Sequence, residues 1–369
     1  MGLTLAVILF FALFIAWAAV PLLPALIELR RRTDVKPLRV VRASDVDIRH
    51  FAHRFRVWVD GALGEPIAAC RANGAAVEGA LADGTRYAVL PDGAPPTLAP
   101  AADGPASCLG VVIGCGRLSL PAGALFPFEV YAANSVEVGE RTICRAILAD
   151  GDLQLGRGCW SLRWLHARVA LLAREDCALH GRASANISMR LEEGCRFERL
   201  HAPTIAFGAP APLPAAPAAR EPLAATDIPR LVDDVAGRWL VRGDLTIPAG
   251  RIVNADVVAT GNLRVGAGVL VNGGLKCHGD LILEDGVEVN GSVVAGRDVR
   301  AGRGCRIRGP VIAERDARIG SGTRLGSAER PTTLSVRQLE IEAGAVAHGT
   351  VWAHEGAVVL ARPGAAEVS

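Results

Sequence analysis

The segment GDLILEDGVEVNGSVVAGRDVRAGRGCRIRGPVIAERDARIGSG, residues 279–322, contains the pattern that decides the fold. Glycine recurs at every eighteenth position through and around it, and a column of Asp or Asn residues keeps the same step. The glycines are Gly250, Gly268, Gly286, Gly304 and Gly322, and the polar column is Asp244, Asn262, Asp280, Asp298 and Asp316. A fixed period of this length indicates a solenoid, in which each repeat packs on its neighbours.

Aliphatic residues follow the same eighteen-residue step and also a finer step of six. Two of the inward columns are Leu245, Leu263, Leu281 and Val299, and Val253, Val271, Val289 and Ile307. Each six-residue side has apolar residues at i and i+2, as a short strand does, followed by a corner where Gly, Asn or Asp adopts turn angles. Three such sides predict an all-β fold, a triangular parallel β-helix whose 18-residue coils stack about 4.8 Å apart.

The period extends upstream and divides the chain into two predicted β-helical modules. Cys159, Cys177 and Cys195 are eighteen residues apart and indicate an irregular module over 107–208. Because one inward thiol per coil supplies no tetrahedral ligand set, these cysteines are interpreted as core residues and not as a metal site. The other predicted segments are an Ala/Pro-rich linker at 209–227, a regular module at 228–360 and a tail at 361–369.

The amino-terminal segment is predicted to be a transmembrane helix over residues 2–29. From Gly2 to Ile27 it carries no charged side chain and is long enough to cross a bilayer. A cleavable signal peptide is the alternative, although no basic residue precedes the apolar run. The membrane-flanking basic residues Arg30, Arg31 and Arg32 follow, and by the positive-inside rule they predict that the carboxy-terminal body lies in the cytoplasm. Contact with anionic lipid is a second expected role for them, and a topology signal alone is the alternative.

Composition and motifs narrow the chemistry further. The net charge of +2 disfavours nucleic acid as a partner, and no nucleotide-binding or zinc pattern is present, so no cofactor, nucleotide or metal is expected. The nine cysteines lack metal-ligand spacing and indicate reduced thiols. Residues 30–106 form a poorly defined juxtamembrane region, in which His50 and His53 share one predicted helical face without an acidic or thiol partner.

The main enzymatic alternative is a hexapeptide-repeat acyltransferase, because that family also builds triangular coils from six-residue units. Such an enzyme is expected to use a histidine general base, and His278, His348 and His354 are the candidates. Each of them occupies a repeat position where another coil carries an ordinary residue. The sequence therefore favours a protein that is not an enzyme.

Residues 257–309 resemble the bactofilins, bacterial cytoskeletal proteins that form a compact β-helix and polymerise without nucleotide. The resemblance lies in the repeated pattern G-D/N-L-x-aliphatic followed by G-V-x-V-x-G, and it covers 239–325 well and 118–208 weakly. Two solenoid modules behind a membrane anchor depart from the usual single solenoid of that family.

The resemblance implies a scaffold at the bacterial inner membrane that self-associates through β-helix ends and localises cell-envelope or polysaccharide machinery. Envelope-biogenesis proteins are then possible partners. Trp239 and Trp352 lie near the two ends of the regular module and are the candidates for assembly contacts or for capping within a monomer.

Overall fold

The structure, a computed structural model, describes residues 48–100, 104–211, 219–235 and 237–362, with five isolated positions among the first fourteen. The chain divides into two compact units, 1–47 and 48–369, and the second contains all the elements discussed below. Within the described parts no helix has the length and apolar character needed to span a bilayer. Most of the predicted span 2–29, the basic residues Arg30, Arg31 and Arg32, and the tail after 362 lie outside the described residues.

The unit 48–369 is a parallel β-solenoid of about 13 turns. Its described strands hydrogen-bond into one continuous 32-stranded sheet, and the inward side chains of all turns form one buried apolar cluster. The prediction of an all-β solenoid is therefore confirmed. The solenoid consists of two coil stacks, which we call the first stack and the second stack.

The first stack is preceded by a helix and a hairpin, and each of its turns combines one long strand with one short strand. The elements are α1 His50–Asn73, β1 Val77–Ala80, β2 Arg86–Leu90, β3 Gly110–Gly114, β4 Leu118–Leu120, β5 Leu125–Ala132, β6 Val136–Val138, β7 Ile143–Ala149, β8 Leu153–Leu155, β9 Trp160–Ala167, β10 Ala170–Ala173, β11 Ala178–Ala185, β12 Ser188–Leu191 and β13 Arg196–Phe207. A long strand covers two sides of the coil because a bulge bends it, as between Phe126 and Glu129 in β5.

The second stack has three short strands per turn until its last two turns, where the strands lengthen. Its elements are β14 Glu221–Pro222, a 3₁₀ turn Ala225–Asp227, β15 Leu231–Val235, β16 Arg238–Val241, β17 Leu245–Ile247, β18 Arg251–Val253, β19 Asp256–Ala259, β20 Leu263–Val265, β21 Leu270–Val271, β22 Leu275–Cys277, β23 Leu281–Leu283, β24 Glu288–Val289, β25 Val293–Ala295, β26 Val299–Ala301, β27 Arg306–Ile307, β28 Val311–Ala313, β29 Asp316–Ile319, β30 Arg324–Leu325, β31 Thr332–Glu342 and β32 Val346–Leu360.

In the second stack the columns of the sequence lie in register from turn to turn. Leu263 pairs with Leu281 and Leu281 with Val299 in successive parallel strands, and all three side chains are buried. The second column, Val253, Val271, Val289 and Ile307, stacks in the same way. The corner glycines Gly250, Gly268, Gly286, Gly304 and Gly322 have φ between 65° and 73°, a left-handed conformation that glycine adopts without a Cβ clash.

Helix α1 packs along the outer face of the first stack. Val59, Leu63 and Cys70 are buried on one side of the helix, in an apolar cluster that includes Ile113 and Tyr131 of the sheet. This helix lies inside the region 30–106 that the sequence left undefined. Its pattern is hard to recognise because the helix has only a narrow apolar stripe and includes Pro66.

Both stack starts are covered by chain that precedes them. Strand β2 pairs with β3, and Leu90 and Leu98 close the core of the first turn. At the start of the second stack β15 pairs antiparallel with β16, and Leu223 and Ile228 are buried there. These segments protect strand edges that a bare solenoid leaves open.

Candidate functional site at the junction of the two coil stacks

The two stacks meet at their carboxy-terminal ends. Strand β13 of the first stack pairs antiparallel with β32 of the second, with Phe197 opposite Ala357, Leu200 opposite Val351, and Ile205 opposite Ala347. The three pairs lie on the three sides of the coil, separated by two register shifts. We call this pairing the junction.

The interior of the junction is as apolar as that of the stacks. Phe197 and Phe207 stack with ring centroids 5.8 Å apart, and both are buried. Leu200, Ile205 and Val351 are fully buried and belong to the same cluster as the cores of both stacks. The junction therefore joins the two cores without an aqueous gap.

Polar contacts accompany this apolar interior. His201 Nδ1 lies 3.0 Å from Thr350 Oγ1 across the junction. His348 Nδ1 lies 2.8 Å from the carbonyl oxygen of Pro203, so this nitrogen carries the proton and donates. His201 and Thr350 are opposite each other in the antiparallel backbone register and also contact each other through their side chains. The same register therefore provides partners for backbone and side-chain polar groups.

Trp352, one of the two predicted end residues, lies on the outer face of the junction. Its ring carries the Arg199 guanidinium at 4.5 Å from the centroid, and the His354 ring is 4.1 Å away. The stack end near Trp352 is thus covered by the first stack. Trp239 is buried in β16, between β15 and β19, so the chain itself covers this end as well.

The described ends of the predicted linker 209–227, residues 209–211 and 219–227, contact the second stack near its last turn and near its first turns, respectively. Ala211 lies against Gly322, and farther along Arg220 donates to the carbonyl oxygen of Gly268 at 2.6 Å and to Glu288 at 2.8 Å. Strand β14 then pairs with β18. The two described ends of the linker thus lie at opposite ends of the second stack, as a meeting of the stacks at their carboxy-terminal ends requires.

The Asp/Asn column forms a hydrogen-bonded ladder at one corner of the second stack. Asp244 Oδ1 accepts the Asn262 backbone N–H at 2.7 Å, and Asn262 Oδ1 accepts that of Asp280 at 2.9 Å. Asp298 and Asp316 continue the ladder with bonds of 3.3 Å. The column therefore stabilises the corners. Its eighteen-residue period arises because each side-chain Oδ1 accepts the backbone N–H of the column residue in the next turn.

The stacked thiols are buried core residues. Cys159, Cys177 and Cys195 have side chains turned into the first stack, and a hydrogen bond with Cys177 together with burial raises the pKa of the Cys159 thiol. Burial raises the pKa of Cys305 in the second stack to about 12. Among the described residues no group of three or more His, Cys, Asp or Glu side chains could hold a metal ion.

The three histidines named for acyl transfer occupy separate environments. His278 is exposed at a corner, His348 is bound to Pro203 inside the junction, and His354 stacks on Trp352 with Nε2 3.4 Å from Ser335 Oγ. A general base requires a free acceptor nitrogen facing a substrate cleft. The proton that His348 Nδ1 donates to the Pro203 carbonyl oxygen fixes the tautomer in which Nε2 is the acceptor.

A groove of about 690 Å³ crosses the junction on one outer face of the solenoid. Residues of both stacks line it, including Arg300 and Arg318 from the second stack and His180 and Arg196 from the first. None of these four residues is predicted as a site by the sequence, because the groove depends on a junction that no repeat predicts. The available signal was the stretch 196–207, which runs through two coil corners without a glycine.

Comparison with protein-family models, with curated proteins and with solved structures returned no match.

Proposed function

We propose that the protein is a non-catalytic scaffold, anchored to a membrane by its amino-terminal segment, whose copies associate through the ends of their coil stacks. The junction supports this proposal most directly. It pairs two stack ends of this chain on all three sides and merges their cores. A surface that pairs within the chain has the strand register and apolar area needed to pair between chains.

Assembly is proposed to occur by exchange of the junction. The starts of both stacks are covered by β2 and β15, whereas β13 and β32 cover only each other. In an exchanged assembly β13 of one chain pairs with β32 of a second chain. Because β13 and β32 are different surfaces, this contact is heterologous and extends into an open series of copies unless it closes in a ring.

The connection between the stacks suits such an exchange. β13 ends at Phe207 in the first stack, and Arg220 and β14 bind the second stack, so the exchange requires a change of conformation only in a hinge between Phe207 and Arg220. The contacts of the junction are then the same in the closed and exchanged forms. Their relative populations depend on concentration and on the conformation of this short hinge.

The remaining parts of the proposal come from the sequence. The apolar segment 2–29 and the basic residues Arg30, Arg31 and Arg32 are proposed to hold the solenoid at the cytoplasmic face of a bacterial inner membrane. As in the bactofilins that the repeat resembles, assembly is proposed to need no nucleotide and to localise cell-envelope proteins.

Cross-linking of singly substituted chains tests the exchange. His201 and Thr350 are opposite each other at the junction, so cysteines at these positions are close to disulfide reach. A His201→Cys chain and a Thr350→Cys chain are co-expressed at full length, oxidised and separated without reductant. If the junction is exchanged, a disulfide-linked product of two chains is expected. If the junction is closed within one chain, a chain that carries both substitutions is expected to form an internal disulfide.

Arg190→Cys co-expressed with Thr350→Cys is the matched control, because Arg190 is exposed on β12, is opposite Ala206 of β13, and lies on a different side of the coil from Thr350. A two-chain product that is specific to the His201/Thr350 pair supports the proposal. Equal products in the control indicate random collision and contradict it. A single-chain mass at all protein concentrations, with the internal disulfide formed in the doubly substituted chain, also rejects assembly by exchange.

A further inference from the structure

One column of side chains that lie outside the main apolar cluster runs in register from the second stack to the first, with Ala178 as its buried member. In the parallel strand register, Arg300 pairs with Arg318, Arg318 with Glu340, and Glu340 with Val358. Across the junction Val358 pairs with Arg196, Arg196 with Ala178, and Ala178 with Trp160. We call these seven residues the outer stripe, and its six strand spacings span about 29 Å at roughly 4.8 Å each.

The groove of about 690 Å³ lies along the middle of the outer stripe. Val358 and Gly356 line it, together with Glu340 and Arg196, which pair with Val358 from the two flanking strands. A smaller depression of about 280 Å³ shares Arg300 and Arg318 and continues the groove along the second stack. An elongated ligand can therefore contact several successive turns.

The groove presents hydrogen-bond donors and acceptors together and carries no excess of positive charge. Five carboxylates and three guanidiniums line it, together with His180. Arg318 lies 3.6 Å from Glu340, and His180 lies 3.4 Å from Glu198. Arg196 and Arg300 are exposed, and neither pairs with a carboxylate among the described residues. This arrangement disfavours nucleic acid and other polyanions, which require clustered unpaired cations.

An exposed tryptophan extends the stripe beyond the groove. Trp160 is 51% exposed, and its ring centroid lies 6.1 Å from that of His180 in the groove wall. Leu162, two residues later, is 46% exposed. A half-exposed indole with a polar groove beside it offers an apolar surface next to donors and acceptors, which matches the two kinds of surface on a sugar ring.

We propose that the outer stripe binds a neutral linear polysaccharide, with one sugar ring stacked on Trp160 and hydroxyl groups bonded to the Arg and Glu side chains of the groove. Paired guanidiniums and carboxylates can each exchange part of their ion-pair contact for hydroxyl groups. Because the stripe crosses the junction, the full site exists only when both stacks are joined. The proposal is independent of whether the junction is closed within a chain or exchanged between chains.

Calorimetric titration of the full-length protein with neutral linear hexasaccharides tests the site, with oligomers of β-1,4-glucose, β-1,4-N-acetylglucosamine, β-1,3-glucose and β-1,4-mannose as probes. We expect saturable binding of at least one probe. Trp160→Ala is expected to weaken that binding about five- to tenfold through loss of ring stacking. Arg300→Ala is expected to weaken it by a similar factor without affecting folding, since Arg300 is exposed.

Two matched controls separate the site from the general surface. Ile187→Ala removes an apolar side chain that is 58% exposed, and Arg190→Ala removes an exposed guanidinium on β12, both away from the stripe. Unchanged affinity in these controls, with loss in the stripe variants, supports the proposal. No binding of any neutral probe at millimolar concentration overturns it. Equal affinity in Trp160→Ala, or stronger binding of oligogalacturonate that salt abolishes, overturns it as well.

Discussion

Replacing Leu281 by alanine tests whether the stacked inward columns supply the stability of the second stack. Leu281 is fully buried between Leu263 and Val299 of the neighbouring turns, so the change removes three carbon atoms from an enclosed site. At about 0.8 kcal/mol per buried carbon, transfer alone costs roughly 2.4 kcal/mol. The cavity left between fixed strands adds to this, and we expect a loss of about 3–4 kcal/mol in the free energy of unfolding.

Ile282→Ala is the matched control, because Ile282 follows in the same strand with its side chain on the outer face. We expect a loss below about 1 kcal/mol for it, as for most substitutions away from the core. Guanidinium chloride unfolding followed by circular dichroism measures both variants. The free energies of unfolding are compared from the denaturant concentrations at the midpoints, with the same dependence on denaturant concentration for all variants. Equal losses for Leu281→Ala and Ile282→Ala, or a loss below about 1 kcal/mol for Leu281→Ala, would refute the inward stacking.

Three further predictions concern corners, helix and buried thiols. Asn262→Ala removes the acceptor of the Asp280 N–H and is expected to cost about 1–2 kcal/mol in denaturant unfolding, whereas Asn262→Asp keeps the acceptor; equal losses contradict the ladder. Gly64→Ala in α1 adds a Cβ that meets nothing within 4 Å and is expected to raise the free energy of unfolding by about 0.5–1 kcal/mol. Gly266→Ala places a Cβ 2.5 Å from the Ala249 nitrogen and is expected to lower it. Thermal melts measure both variants, and a shift of the same sign in the two contradicts the prediction. Burial raises the pKa of Cys305 from 9.0 to about 12, so the folded state favours the neutral thiol. The stability that this preference adds is present below pH 9 and is lost as the pH rises toward 12. Cys305→Ala is therefore expected to flatten the decline of melting temperature between pH 9 and 12, and the same decline in the variant as in the unsubstituted protein contradicts the prediction.

The repeat of the second stack was predictable because each part of it has a local cause. Leu263 and Leu281 occupy the same place in successive turns, and Gly268 and Gly286 occupy the same corner, so one turn determines the next. Thr323, which interrupts an inward column, is accommodated by donating to the Gly302 carbonyl oxygen at 2.8 Å. A polar residue there did not end the stack, since β31 and β32 continue it.

The junction, the groove and the position of α1 could not be predicted from spacing. Phe197 and Ala357 are far apart in the chain, and neither belongs to a column that reaches the other. Likewise, Trp160 and Arg300 share the outer stripe only through pairings in both stacks and across the junction. Such contacts depend on how complete coil stacks meet, and a periodic pattern contains no information about which ends meet.

By itself the sequence determined the solenoid, its period and its inward residues, because strand alternation and corner conformation act over a few neighbouring residues. Tertiary structure alone decided that the two stacks join end to end with opposite chain direction. The physical reason is that open strand edges and exposed core residues at a stack end must be covered. Several surfaces could cover them, and only the complete fold selects one.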